Sequence, residues 1–260
     1  MSIPASTTSQ AMNKVPVVTL GFWIIKILAT TLGETAGDTV TMSMGLGYLA
    51  GTAIFLSVFV ILVIFQIRAR RYSAPLYWAT IVGSTTAGTT MADFADRSLG
   101  VGYAGGSAIL LSCVVATLAL WRWYEGSVSV NAIATPRVEG FYWATITFSQ
   151  TLGTALGDWT ADDTGLGYEG AALIFGAALV LVAGAYFWTR LSRAWLFWIA
   201  FILTRPLGAT IGDFLDKPLA EGGLAVSRPI ASLIIAVLMI IGIVLFGRRA
   251  AQPSQSTPPR

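Results

Sequence analysis

Apolar residues along this chain follow two alternating patterns. In one they run nearly unbroken: Leu49–Ile67, Gly105–Trp123, Gly170–Trp188 and Pro229–Phe246, relieved mainly by small residues such as Ser57, Ser112 and Gly176. Stretches near 20 residues match the roughly 30 Å hydrocarbon core of a bilayer. A helix apolar on all sides suits a lipid-facing or core-packing role. In the other pattern, polar residues return with helical period on one side. Counted from Trp23, Trp78, Trp143 and Trp198, positions +3, +7, +10, +11, +14, +15 and +18 share a stripe about 140° wide at 100° per residue. That stripe holds Lys26, Thr30, Glu34 and Asp38 in the first segment, and Thr85, Thr89 and Asp93 in the second. It holds Gln150, Thr154 and Asp158 in the third, and Arg205 and Asp213 in the fourth. Four striped and four apolar segments alternate, which predicts eight transmembrane helices.

The segments are copies of one unit. Ten residues after each tryptophan stands a glycine (Gly33, Gly88, Gly153, Gly208), and fifteen after it an aspartate (Asp38, Asp93, Asp158, Asp213). Twenty-four after it stands another glycine (Gly47, Gly102, Gly167, Gly222), with no gap in any copy. Gly33/Gly37, Gly88/Ala92, Gly153/Gly157 and Gly208/Gly212 are small-xxx-small pairs that let helix backbones approach. Each unit has two spans, so every copy enters from the same side and the repeats are parallel. The expected fold is an all-α membrane protein of four two-helix repeats, pseudo-fourfold or pseudo-twofold about the membrane normal, with the striped helices inside. A finer duplication shows in Gly45–Tyr48 and Gly165–Tyr168 of the odd copies. The even copies share Asp93–Arg97 and Asp213–Lys217, in which Asp-Phe-x-Asp precedes a base. The repeats are delimited as 15–72, 73–124, 138–192 and 193–249, with a linker at 125–137 and polar tails at 1–14 and 250–260 that are expected to be disordered.

Composition agrees with this architecture: 55% of residues are hydrophobic and 11% charged, and mean hydropathy is +0.72. The net charge of +3 matters less than its distribution. Lys14, Arg68, Arg70, Arg71, Arg122, Arg137, Arg190, Arg193, Arg248 and Arg249 lie outside the hairpins, whereas the hairpin tips are rich in Asp and Glu. An Arg/Lys excess marks the cytoplasmic side, so both termini are expected there. Cys113, the single cysteine, lies in an apolar segment and cannot form an intramolecular disulfide.

Four tandem two-helix units, each with a tryptophan and a Gly-x-x-x-Gly-Asp-like segment, resemble a bacterial family of membrane-anchored proteins of unknown function. The resemblance covers about residues 15–248. It implies an inner-membrane bacterial protein and supplies no activity or substrate. The segment Glu34-Thr-Ala-Gly-Asp38-Thr39 also resembles the Glu-x-Gly-Asp-Lys-Thr motif of a family of manganese and calcium transporters. Here the spacing is one residue longer and the lysine is absent.

The tryptophans are expected to sit at a membrane interface as aromatic-belt anchors, with ligand stacking as the alternative. Fifteen residues of helix carry each aspartate about 22 Å beyond its tryptophan, near the opposite interface. Two roles are open to these carboxylates: capping or shaping the turn, or forming a ring at the mouth of a cation path. Glu34 and Asp38 lie one turn apart on one face and are candidates to hold a cation between them. Lys26 and Arg205 lie deeper, where an unpaired charge costs roughly 2.5–3.5 kcal/mol. Each is a candidate for charge pairing with an Asp or Glu, or for gating. Arg205 fills the slot of Thr30, Thr85 and Gln150, so the copies are chemically unequal. Asp96, Asp162, Asp163, Asp216, Glu169 and Glu221 are expected on solvated outer loops.

The chain has no histidine, which removes the usual zinc, copper and haem ligands and the commonest general base. No phosphate loop or nucleophile motif is present. Neither an enzyme activity, a cofactor nor a nucleic-acid partner is expected. The expected function is movement of a small cation, with an all-oxygen ligand set favouring a hard ion such as Mn²⁺ or Mg²⁺. Asp38, Asp93, Asp158, Asp213 and Glu34 are its candidate metal ligands. A non-transporting scaffold and a small organic-cation carrier, with the tryptophans as cation–π partners, are the alternatives.

Overall fold

The computed structural model describes residues 13–133 and 135–246. They form eight α-helices: α1 (Leu20–Asp38), α2 (Tyr48–Arg68), α3 (Ala74–Asp93), α4 (Tyr103–Glu125), α5 (Pro136–Asp158), α6 (Gly167–Trp188), α7 (Arg193–Asp216) and α8 (Arg228–Phe246). Five of them, α2, α4, α6, α7 and α8, are long and apolar enough to cross a membrane. The other three carry the polar stripe. Buried polar residues mark them: Lys26 and Glu34 in α1, the threonines Thr85, Thr86, Thr89 and Thr90 in α3, and Glu139 and Gln150 in α5.

The striped helices close into a ring: α1 packs on α3, α3 on α5, α5 on α7, and α7 back on α1. The apolar helices lean on this ring one step ahead of their own repeat. α2 packs on α3, α4 on α5 and α6 on α7, and α8 returns to α1. Each repeat is therefore clamped by the outer helix of the one before, and the last clamps the first.

Ring closure follows from the glycine at +10. A Cβ at Gly33 would strike Thr85, one at Gly88 would strike Gln150, one at Gly153 Arg205, and one at Gly208 Thr30. Each glycine thus receives the +7 residue of the next copy. Threonine at +7 also reaches across the seam: Thr85 Oγ1 donates to the Ala29 carbonyl at 3.1 Å and Thr30 Oγ1 to the Thr204 carbonyl at 3.1 Å. These hydroxyl–carbonyl bonds fasten helices that the missing side chains bring within backbone contact.

The helices run unbroken to the aspartates. α1, α3 and α5 end on Asp38, Asp93 and Asp158, and the next five residues of each widen into a π-helical turn. In α7 the helix continues to Asp216. The glycine at +24 then turns the chain into the outer helix in a left-handed conformation, with φ of 77°, 76°, 65° and 82° at Gly47, Gly102, Gly167 and Gly222. A side chain there would strain the backbone.

The far end of the ring is covered by the 125–137 linker, where Val128, Val130 and Ile133 are buried. Of the expected N-terminal tail, residues 1–12 lie outside the described residues, as does all of 250–260. Asn13 and Lys14 do not behave as a tail. The Lys14 backbone amide donates to the Ile133 carbonyl at 3.2 Å, and its ammonium pairs with Glu139 at 2.6 Å.

Candidate functional site

The inward faces of α1, α3, α5 and α7 stack side chains in layers, one layer per turn. At the tryptophan end every copy carries an aromatic pair, Phe22-Trp23, Tyr77-Trp78, Tyr142-Trp143 and Phe197-Trp198. The first ring of each pair meets the tryptophan of the next: Phe22 with Trp78, Tyr77 with Trp143, Tyr142 with Trp198, and Phe197 with Trp23 at 5.5, 6.0, 5.9 and 5.6 Å. A hydrogen bond of 2.6 Å joins the Tyr77 and Tyr142 hydroxyls, and Trp198 Nε1 donates to the Val128 carbonyl at 2.9 Å. Trp78, Trp143 and Trp198 are 1–3% exposed. They seal one end of the bundle from within and do not anchor it to a lipid interface. The expectation of an aromatic belt is corrected on this point.

One turn in, Ile81, Ile146 and Phe201 are fully buried around Lys26. The Lys26 ammonium lies 4.2 Å over the Phe201 ring. It forms none of the ion pairs among the described residues. The next layers hold Gln150 and Arg205, then Glu34, Thr89 and Thr154. Arg205 Nη2 donates to Glu34 Oε2 at 2.8 Å, to Thr89 Oγ1 at 2.6 Å and to Thr154 Oγ1. Thr89 Oγ1 also lies 3.2 Å from Glu34 Oε2 as a donor. Glu34 is the acidic partner of Arg205. Helices α1, α3, α5 and α7 all contribute to this one network.

At the opposite end lie the four aspartates, buried to within 1–3% exposure. Asp38, Asp93 and Asp158 close their α-helices and donate no cap to the turn that follows. A carboxylate at a helix C-terminus meets the negative end of the helix dipole and is disfavoured there. Capping therefore does not account for them, and counter-charges are required. Arg97 supplies one, with Nε 3.0 Å from Asp93 and Nη2 3.3 Å from Asp158. Lys217 supplies another, 3.2 Å from Asp213 and 3.7 Å from Asp38. Arg228 lies 3.6 Å from Asp38 and 3.5 Å from Asp216. Burial alone would pull Lys217 and Arg97 down. Asp213 and Asp38 around the first, and Asp93 and Asp158 around the second, outweigh it and hold both above their usual range. Both cations stay charged at any working pH.

The four repeat carboxylates thus fall into two pairs. Asp93 and Asp158 share the Arg97 guanidinium. Asp213 and Asp38 share an ammonium, and with Glu34 they bring one ligand oxygen each to within 4.8 Å of one another. Both Asp38 oxygens and Asp213 Oδ1 accept no hydrogen bond from the described residues. These three carboxylates are the oxygen-rich part of the site and fit the ligand set of a hard cation.

The sequence reading missed Arg97, Lys217, Arg228 and Asp216. Asp216 was expected on a solvated loop, yet it is 7% exposed and paired. A signal existed: Arg97 and Lys217 both stand at +19, only in the even copies, four residues after the aspartate. One helical turn places such a base beside its own aspartate.

A closed ring of tandem helical hairpins, apolar outside and charged along its axis, defines a membrane-type repeat protein. The chain belongs to the family described as Repeat of Unknown Function (DUF347), whose pattern matches it four times, at residues 21–72, 76–127, 141–192 and 196–251. No curated protein and no solved structure shows a significant match to it.

Proposed function

We propose that this protein spans the bacterial inner membrane with all eight helices, termini cytoplasmic, and moves a small hard cation bound by Glu34, Asp38 and Asp213. The observation that carries this reading is the convergence of three buried carboxylates within 4.8 Å. Buried carboxylates at such range repel one another unless a cation lies among them. Here Lys217 and Arg228 act as tethered cations that occupy the acidic end when no ion is bound. An arriving Mn²⁺ or Mg²⁺ exchanges with the Lys217 ammonium, and Arg205, fixed on Glu34, bars the ion from slipping further down the axis. Loss of the Arg205–Glu34 contact opens the next step. The protein has no catalytic role in this scheme and requires no cofactor. Pseudosymmetry about the membrane normal brings the four seams together, while the +19 bases reduce it to twofold at the acidic end.

A scaffold reading has one observation in its favour: every repeat aspartate has a basic partner, as a purely structural network requires. The organic-cation reading loses its main support, because the tryptophan rings meet other aromatic rings.

The test is metal uptake into proteoliposomes, wild type beside Asp38→Asn with Asp213→Asn. The expected result is Mn²⁺ or Mg²⁺ uptake that falls by more than the roughly 10–100-fold that losing even an outer-shell metal partner costs. No uptake across a panel of divalent and monovalent cations, with the double variant merely less thermostable, would leave the scaffold.

A further inference from the structure

Between the aromatic seal and the Arg205–Glu34 pair, the bundle axis holds polar atoms that nothing among the described residues satisfies. Lys26 Nζ, Gln150 Nε2 and Oε1, and Arg205 Nε and Nη1 are buried and have no hydrogen-bond partner. All three residues have 0% exposure. Lys26 lies one helical turn before the layer of Gln150 and Arg205, and the three come from α1, α5 and α7 of the closed ring. The unmet demand is one-sided. An ammonium offers three N–H groups, an amide two, and the unpaired Nε and Nη1 of the guanidinium three more, against a single acceptor, Gln150 Oε1. The charge is one-sided too. Arg205 is balanced by Glu34, whereas among the described residues Lys26 has no acidic partner and lies over the Phe201 ring. A buried, unpaired ammonium is among the costliest groups a protein interior can hold.

We propose that these groups bind a small monovalent anion of halide size, held by N–H groups of Lys26, Gln150 and Arg205. One negative charge balances Lys26, and a spherical acceptor takes donors converging from three helices. Gln150 and Arg205 sit at seams where their helices press on Gly88 and Gly153, so the helices that carry these donors are closely packed. The site lies on the far side of Arg205 from the three carboxylates, so it stands whether or not a cation binds there. The anion also supplies a reason for the position of Arg205, which then faces a carboxylate on one side and an anion on the other.

The probe is bromide. Crystals of the full chain grown in sodium bromide are expected to show an anomalous peak within hydrogen-bond distance of Lys26 Nζ and Gln150 Nε2. In detergent, thermal unfolding is titrated with sodium bromide against sodium gluconate at constant ionic strength. The expected result is a saturable rise in Tm for wild type. Lys26→Met is expected to weaken the apparent affinity by about tenfold or more, the worth of one charge-assisted hydrogen bond. Gln150→Leu, which keeps all charges, is expected to weaken it less. An ordered water between Lys26 and Gln150 with no anomalous peak, or a Tm that rises equally in wild type and both variants, would overturn the proposal. The wild-type diffraction result decides it even if a variant does not fold.

Discussion

Glu34→Gln is expected to lower the stability of the folded bundle by about 3–5 kcal/mol, the cost of leaving one member of a buried ion pair without its partner. Arg205 is fully buried, and Glu34 is its sole acidic contact among the described residues. The amide that replaces the carboxylate keeps the shape and removes the charge. The two threonines that accept from Arg205 Nη2 remain, but a hydroxyl cannot balance a guanidinium in an apolar interior. Arg205→Met alone is expected to cost a similar amount, because it leaves Glu34 beside Asp38 and Asp213. The double change Glu34→Leu with Arg205→Met should recover most of the loss, since well-packed apolar replacements of a buried pair are often neutral or stabilising. Denaturant unfolding in mild detergent of wild type, Glu34→Leu, Arg205→Met and the double variant closes the cycle, with Glu34→Gln measured beside it. A single substitution without effect would mean that the pair does not hold the ring together. The recovered double variant also tests the proposed cation site separately from stability: with one of its three carboxylates gone, the variant should be folded and, on the transport proposal, inactive for cation uptake.

The repeat, the helical class and the inward stripe were legible because each is a matter of spacing. Period 3.6 puts Lys26, Thr30, Glu34 and Asp38 on one face whatever surrounds them, and the glycine at +10 requires close packing wherever it falls. Arg205 in a threonine slot announced that the axis would be unequal, and its pairing with Glu34 bears that out. Direction across the ring was not legible. An outer helix apolar on all sides carries no mark of which inner helix it covers, so the one-step offset that seats α2 on α3 emerges only in three dimensions. The tryptophans were misread because an interface anchor and an inward seal need the same residue at the same depth. What distinguishes them is the second aromatic beside each, Phe22, Tyr77, Tyr142 or Phe197, which an anchor has no use for. Lys217 and Arg228 escaped because they follow α7 in the sequence and look like loop charges. Their long side chains reach back over the helix end to Asp38 on another repeat.

Gly88→Ala and Gly208→Ala should each destabilise the bundle by about 1–3 kcal/mol, the usual cost of overpacking a close contact. This runs against intrinsic preference, since alanine in a helix interior is favoured over glycine by about 1 kcal/mol. The added Cβ at Gly88 would lie 2.9 Å from the Gln150 carbonyl carbon and 3.0 Å from the Thr151 nitrogen, and at Gly208 it would lie 2.9 Å from the Thr30 carbonyl carbon. Those are backbone atoms of the neighbouring inner helix, and no rotamer change relieves them. The helices must separate, and separation at one seam of a closed ring is transmitted to the others. Gly176→Ala on α6 is the control, because nothing lies within 4 Å of the Cβ it adds. There the helical preference should act alone and stability should hold or rise slightly. Unfolding midpoints in detergent would check all three variants. If Gly88→Ala and Gly176→Ala moved stability equally in the same direction, glycine at +10 would be serving something other than ring closure. If the seam variants lose stability and the control does not, the spacing of +10 against +7 is what turns four tandem hairpins into a closed charged core.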